Sequence, residues 1–148
     1  MHSHPPHTLA LTVEETREYL REVFPQVWLD DAFAVEAVGP MTARLRLNFH
    51  DGHLRPGGTI SGPSMFSLAD LALYVAILAQ LGRVGLAVTT NLNINFLRKP
   101  EPRDLIGEAR LIKLGKRLAV GEVAIFTEGQ GELVAHATGT YSIPPRRH

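Results

Sequence analysis

The chain has 148 residues, of which 45% are hydrophobic and 20% are charged, and it contains no cysteine. A chain of this length folds as one domain that is stable without cross-links. Its 15 basic residues balance its 15 acidic residues, so no broad positive field attracts nucleic acid. The lack of cysteine excludes disulfides, thiolate metal sites and a cysteine nucleophile.

The N-terminal segment MHSHPPHTLA has no apolar stretch, so we do not expect a secretory signal and do expect a cytoplasmic location. We assign residues 1–10 to a flexible tail. Residues 11–148 are expected to form a single domain, because no repeat or linker interrupts them.

The predicted elements begin with a helix, because T-V-E-E from Thr12 to Glu15 is a capping box. This helix should end near Phe24, before a proline. Alternating or apolar runs predict strands over residues 34–38, 42–49, 86–97, 105–114, 118–127 and 132–142. A long helix separates the second strand from the last four, which we expect to form a meander. The pattern predicts an α+β fold, an antiparallel sheet with one face covered by a helix.

The long helix lies in the segment GGTISGPSMFSLADLALYVAILAQLG. Ser61 is a suitable N-cap, Pro63 suits the first turn, and Gly82 ends the helix. Its length approaches the roughly 20 residues that cross a membrane. An acid at the centre, Asp70, would cost on the order of 3 kcal/mol there. We therefore predict a buried central helix and no membrane partner.

A lone carboxylate inside such a helix needs an explanation, and two are open. Ser67 lies one turn earlier and would satisfy a purely structural acid. An unpaired buried acid instead costs several kcal/mol, which favours a functional role for Asp70.

The start of the helix is a second candidate, because its first N–H groups lack partners within the helix. Such groups stabilise a carbonyl oxygen that becomes negative. Pro63 has no N–H, so Gly62 is the best donor. Gly62 and Asp70 are separated by roughly 12 Å of helical rise, which is long for one small centre within a single chain.

The strand over residues 86–97 is expected to place Leu86, Val88, Leu92, Ile94 and Phe96 on one face. The opposite face should carry Thr89, Asn91, Asn93 and Asn95, either as a subunit contact or as a solvated surface. One helix cannot cover a long sheet, and strand edges need cover. We therefore expect self-association, most simply as a two-fold dimer.

From about Leu45 to Ile143 the chain resembles the hotdog-fold thioesterases of the phenylacetic-acid-degradation type. In that family an H-G-G triplet begins the central helix, and an acid follows nine positions after the His. Here Ser61-Gly62-Pro63 occupies the triplet and Asp70 the position of the acid. The segment VTTNLNINFLRKPEPRDLIGEARLIKLGKRLAVGEVAIF is similar to the second half of the sequences in this family.

The resemblance implies a sheet wrapped around the central helix and hydrolysis of an acyl-CoA thioester. It makes Asp70 the general base or nucleophile, Gly62 N–H the group that polarises the carbonyl, and Thr89 a residue that orients water or the acid. It also implies a homodimer or homotetramer, with Asp70 and Thr89 from opposite subunits. Neither a metal nor a cofactor is expected, because coenzyme A belongs to the substrate.

Departures from the family lie around the carbonyl site. Ser61 replaces the His, Pro63 replaces the second Gly, and Arg55 stands where the family often has Asn. Asn48 would substitute for that Asn if the loop folds back. Arg55 would contact an acyl carboxylate or a CoA phosphate, or stand in solvent. We take Arg55, Ser61 and Asn48 as candidate substrate-binding residues.

Two other functions stay open. A non-catalytic acyl-CoA or acyl-ligand binding protein fits the altered triplet. An enoyl-CoA hydratase would need a His beside the acid, and His50 and His53 in the preceding loop are the candidates.

Overall fold

The computed structural model describes residues 8–25, 32–49, 54–55 and 59–145, with only the backbone given for residues 54, 55 and 59. The elements in chain order are α1 (Val13–Val23), β1 (Phe33–Gly39), β2 (Thr42–Leu47), β3 (Leu54–Arg55), β4 (Thr59–Ile60), α2 (Gly62–Leu81), β5 (Val88–Phe96), β6 (Leu105–Leu114), β7 (Leu118–Thr127) and β8 (Leu133–Ser142). The predicted helices and long strands are all present. The short hairpin β3–β4 was predicted as loop.

Six strands form one antiparallel sheet in the order β1-β2-β6-β7-β8-β5, and α2 packs against its inner face. The predicted four-strand meander is wrong in one respect, because β5 pairs with β8 at an edge and not with β6. The connection after β5 contains Pro100 and Pro102, which do not suit a tight hairpin. It carries the chain to β6, which pairs with β2. This is the hotdog fold.

Helix α2 is apolar all round because the sheet and neighbouring segments surround it. Ser61 is the N-cap, with extended backbone (φ −69°, ψ 150°), and Gly82 is the C-cap. Every residue from Leu68 to Gln80 is buried except Asp70, which is partly exposed. By length and composition the helix could cross a membrane, but 72% of its most apolar window is buried inside the molecule. The structure therefore supports a core helix.

The sheet approaches α2 closely where two glycines face each other across β7 and β8. Gly121 pairs with Gly139, and the side chain of Leu73 fills the space above them. A Cβ atom would lie 2.6 Å from Leu73 Cδ2 at Gly121 and 2.7 Å from Leu73 Cδ1 at Gly139. Both positions need glycine because of this close approach.

The far end of α2 anchors the start of the described chain. Ala10 N–H donates to the Ala79 carbonyl at 2.8 Å, and the Gln80 amide nitrogen donates to the Thr8 carbonyl at 2.9 Å. Gln80 Oε1 also accepts from Met41 N–H at 2.9 Å, which ties the β1–β2 turn to the helix. Residues 8–10, assigned to a tail from sequence, are thus hydrogen-bonded to the core, while residues 1–7 lie outside the described residues.

Candidate active site

Asp70 emerges on an exposed stripe of α2. The stripe consists of Pro63, Phe66, Ser67 and Asp70, which have the spacing of one helix face. Phe66 is 41% exposed, although the rest of the helix is largely buried. The acid therefore lies where the central helix reaches the surface, and not in the sealed core.

Two neutral hydroxyls hold the carboxylate. Thr89 Oγ1 donates to Asp70 Oδ1 at 2.7 Å, and the Tyr141 hydroxyl donates to the same oxygen at 2.6 Å. The Tyr141 hydroxyl also lies 2.9 Å from the Asp70 main-chain oxygen, which is a second acceptor for the same donor. Ser67, the structural partner considered from sequence, is exposed on the helix and does not bond the acid. The partners come from the sheet.

A β-bulge accounts for the position of Thr89. The pairing of β5 with β8 shifts between Thr89 and Asn91, so the alternation of side chains reverses at this point. The expectation that Thr89 shares a face with Asn91, Asn93 and Asn95 is therefore wrong. Thr89 points to α2, whereas the Asn93 amide bonds the Asn91 side chain at 3.0 Å on the other face.

Thr89 and Tyr141 are directly opposed residues of β5 and β8. Their hydroxyls reach one carboxylate because both strands lie beside α2. Within a single chain Thr89 already contacts Asp70, so the implied origin of these two residues in opposite subunits is wrong for this pair. Tyr141 was not predicted as a site residue, because in the sequence it resembles any other apolar position of a strand.

Gly62 and Ser61 lie at the other end of the stripe. Gly62 is the first residue of α2, where the N–H has no acceptor within the helix. Phe96 of β5 packs over Gly62, so a Cβ atom added to Gly62 would lie 3.2 Å from the Phe96 ring. Ser61 Oγ accepts from Ser64 N–H at 3.3 Å and lies 2.9 Å from Ser64 Oγ, so it caps the helix. The helical rise of about 12 Å keeps Gly62 apart from Asp70.

Among the other candidates, Asn48 does not contact Asp70. Asn48 follows β2, and its N–H donates to the Ala32 carbonyl at 2.9 Å. In the sheet β6 and β7 separate β2 from β8 and β5. Arg55 pairs with Thr59 in the β3–β4 hairpin, but its side chain lies outside the described residues, as do His50 and His53.

The electrostatics of the site differ from those of the outer sheet face. Burial, followed by the charge of Asp70, raises the pKa of Tyr141 far above its ordinary value, so its hydroxyl stays a donor. No lysine, arginine or histidine in the described part of the chain contacts the Asp70 carboxylate. On the outer face, Glu122 by contrast bonds His136 at 3.0 Å and also pairs with Arg110. The described residues thus hold Asp70 by hydroxyls alone.

The fold is that of a hotdog-fold protein, and its candidate site is built around one carboxylate. A model of the thioesterase superfamily matches residues 57–134, a range that includes Gly62, Asp70 and Thr89.

Three similar proteins illustrate the match. A crystal structure from Silicibacter sp. TM1040, assigned provisionally as a thioesterase, has 49% identity and a TM-score of 0.85 and covers 95% of this chain and 96% of that chain. The protein SSO1253 of Saccharolobus solfataricus, named provisionally as an esterase, is 33% identical over 90% of this chain and 86% of its own length. A mutant of the phenylacetic acid degradation protein PaaI from Thermus thermophilus has 26% identity and a TM-score of 0.66, with 75% and 92% coverage.

The chain belongs to the thioesterase superfamily. These relatives support thioester hydrolysis as the class of reaction. The resemblance to the phenylacetic-acid-degradation type is confirmed.

Proposed function

We propose that this chain hydrolyses acyl-CoA thioesters to a free acid and coenzyme A, with Asp70 as general base. The observation that carries the proposal is the Asp70 carboxylate, which is held through Oδ1 by Thr89 and Tyr141 on the exposed stripe of α2. No cation in the described part of the chain contacts this carboxylate, and its partly exposed position admits water and substrate.

Asp70 accepts a proton from water as the water oxygen bonds to the thioester carbonyl carbon. The carbonyl oxygen becomes negative and accepts a hydrogen bond from an N–H at the start of a helix, for which Gly62 is the candidate. The carbon–sulfur bond then breaks, and the CoA sulfur takes the proton from Asp70. The products are the carboxylic acid and CoA thiol.

We further propose that the complete site needs two copies of the chain, with Asp70 of one beside Gly62 of the other. The helical rise of about 12 Å between these residues supports this, since one carbonyl cannot contact both within a chain. Strand β5 is an edge strand of nine residues, and Val88 and Phe96 on it are more than half exposed. Such an edge favours pairing with another copy. Ser61, Asn48 and Arg55 would then contact the substrate from the helix start and its preceding loop.

The test is thiol release from a panel of acyl-CoAs by the wild type, Asp70→Asn and a control, Glu14→Gln. Glu14 is an exposed acid of α1 that pairs with Arg17, so it matches the charge change away from the site. We expect release by the wild type and the control, and a loss of at least about 100-fold in Asp70→Asn. Binding of acyl-CoA without release from any member of the panel would instead identify a binding protein.

The hydratase alternative rests on His50 and His53, which lie outside the described residues, while the described His136 bonds Glu122 and not Asp70. The same panel includes an enoyl-CoA, whose loss of conjugated absorbance without thiol release would reveal hydration.

A further inference from the structure

Tyr141 contacts both the side chain and the backbone of Asp70. Its hydroxyl lies 2.6 Å from Oδ1 and 2.9 Å from the main-chain oxygen of the same residue. One donor therefore spans the backbone and the side chain of Asp70, which restricts rotation of the carboxylate. Thr89 bonds the same Oδ1 from the opposed position on β5. Together the two hydroxyls constrain one oxygen from two neighbouring strands.

The Tyr141 ring is itself held in place. It is 3% exposed and stacks on Tyr74, with ring centroids 6.2 Å apart and an angle of 22° between the planes. The Tyr74 hydroxyl donates to the Gly85 carbonyl at 2.9 Å, and Phe24 packs edge-on against the Tyr74 ring at 6.3 Å. A phenylalanine at position 141 would fill nearly the same volume, so packing does not account for the hydroxyl.

The other carboxylate oxygen is left available. Within the described part of the chain both side-chain hydrogen bonds of Asp70 go to Oδ1, and none goes to Oδ2. A general base needs one oxygen free for the incoming water and an orientation that places it within hydrogen-bond reach of that water.

We propose that Tyr141 is a positioning residue that, with Thr89, fixes Asp70 Oδ1 so that Oδ2 takes the proton from the attacking water. This inference rests on the proposed function, because it assigns a role in the same reaction. Tyr141 does not touch the substrate in this scheme, and it acts through Asp70.

Tyr141→Phe is the direct test, with Tyr19→Phe as the matched control. Tyr19 does not contact the Asp70 carboxylate, and its hydroxyl accepts a hydrogen bond from Gly85 N–H at 2.9 Å, so its variant also loses one hydroxyl. For Tyr141→Phe we expect kcat to fall about 10- to 100-fold with KM changed less than about twofold. Tyr19→Phe should keep the wild-type kcat and lose only thermal stability.

The pH profile separates positioning from simple destabilisation. A hydroxyl bonded to a carboxylate favours the charged form, so its removal should move the acid limb of kcat/KM to higher pH. Among the described groups around Asp70, the titratable ones are Tyr141 on β8 and Tyr74 on α2, and β5 contributes Thr89. If Tyr141→Phe does not fold, 3-fluorotyrosine at position 141 keeps the ring and strengthens the donor, and should move the limb to lower pH.

The outcomes distinguish this inference from the proposed function. Wild-type kcat and an unmoved limb in Tyr141→Phe, with Asp70→Asn inactive, would overturn the role of Tyr141 and leave the proposed function intact. If only the protein with 3-fluorotyrosine at position 141 folds, an acid limb of kcat/KM at its wild-type pH would also overturn the role of Tyr141. An active Asp70→Asn enzyme would overturn both.

Discussion

Replacing Gly62 tests the proposed carbonyl contact with a matched pair of variants. Gly62→Pro removes the N–H, whereas Gly62→Ala keeps it. Each adds a Cβ that would lie 3.2 Å from the Phe96 ring, which is 52% exposed and can move aside. Proline suits the first helical position, and the ψ of 150° at Ser61 is the conformation preferred before proline. The two variants therefore share the added Cβ, and proline differs by the lost donor and by the ring carbons that replace it.

Loss of one donor to a developing oxyanion typically lowers kcat by about 100- to 1000-fold, or about 3–4 kcal/mol. We expect this ratio between Gly62→Ala and Gly62→Pro in thiol release at saturating acyl-CoA. Melting temperatures within a few degrees of each other would show that both variants are folded. Equal kcat values in two folded variants would refute the assignment of the Gly62 N–H to the carbonyl oxygen.

Three further predictions use other contacts. Thr89→Val should lower kcat by about 10-fold while Thr89→Ser retains it, because serine keeps the hydroxyl, and equal rates would contradict this. Gly121→Ala should reduce the free energy of unfolding in urea by about 1–3 kcal/mol, since its Cβ would overlap Leu73, whereas wild-type stability would contradict that packing. The His136 hydrogen bond lowers the pKa of Glu122 below its usual 4.5. Glu122→Gln should therefore be less stable than the wild type at neutral pH, with the gap shrinking as pH falls below 4.5; a gap that does not shrink on acidification would contradict the linkage.

Much of the fold follows from local patterns in the sequence. The capping box at Thr12, the cap at Ser61 and the alternation along β6 and β7 predict the helices and strands at or near their observed bounds. Strand order was harder, because pairing is non-local. Whether β5 meets β6 or β8 depends on the path of the intervening loop, which no periodicity reveals.

The site was predictable in part. Asp70 is conspicuous as an acid in an apolar helix, and its partner Thr89 came from a family resemblance. The bulge that turns Thr89 toward α2 has no glycine or other signal in the sequence, so the faces of β5 were misassigned at that residue. Tyr141 could not be found, because its contact depends on the register of β8 against β5.

The most direct measurement of the central claim is kcat for thioester hydrolysis by wild-type protein and Asp70→Asn on the best acyl-CoA of the panel. The amide keeps the size of the side chain and can still accept hydrogen bonds from Thr89 and Tyr141, but it cannot take a proton at neutral pH. We predict a decrease of at least about 100-fold in a variant that melts as the wild type does. Undiminished thiol release by Asp70→Asn would contradict the account.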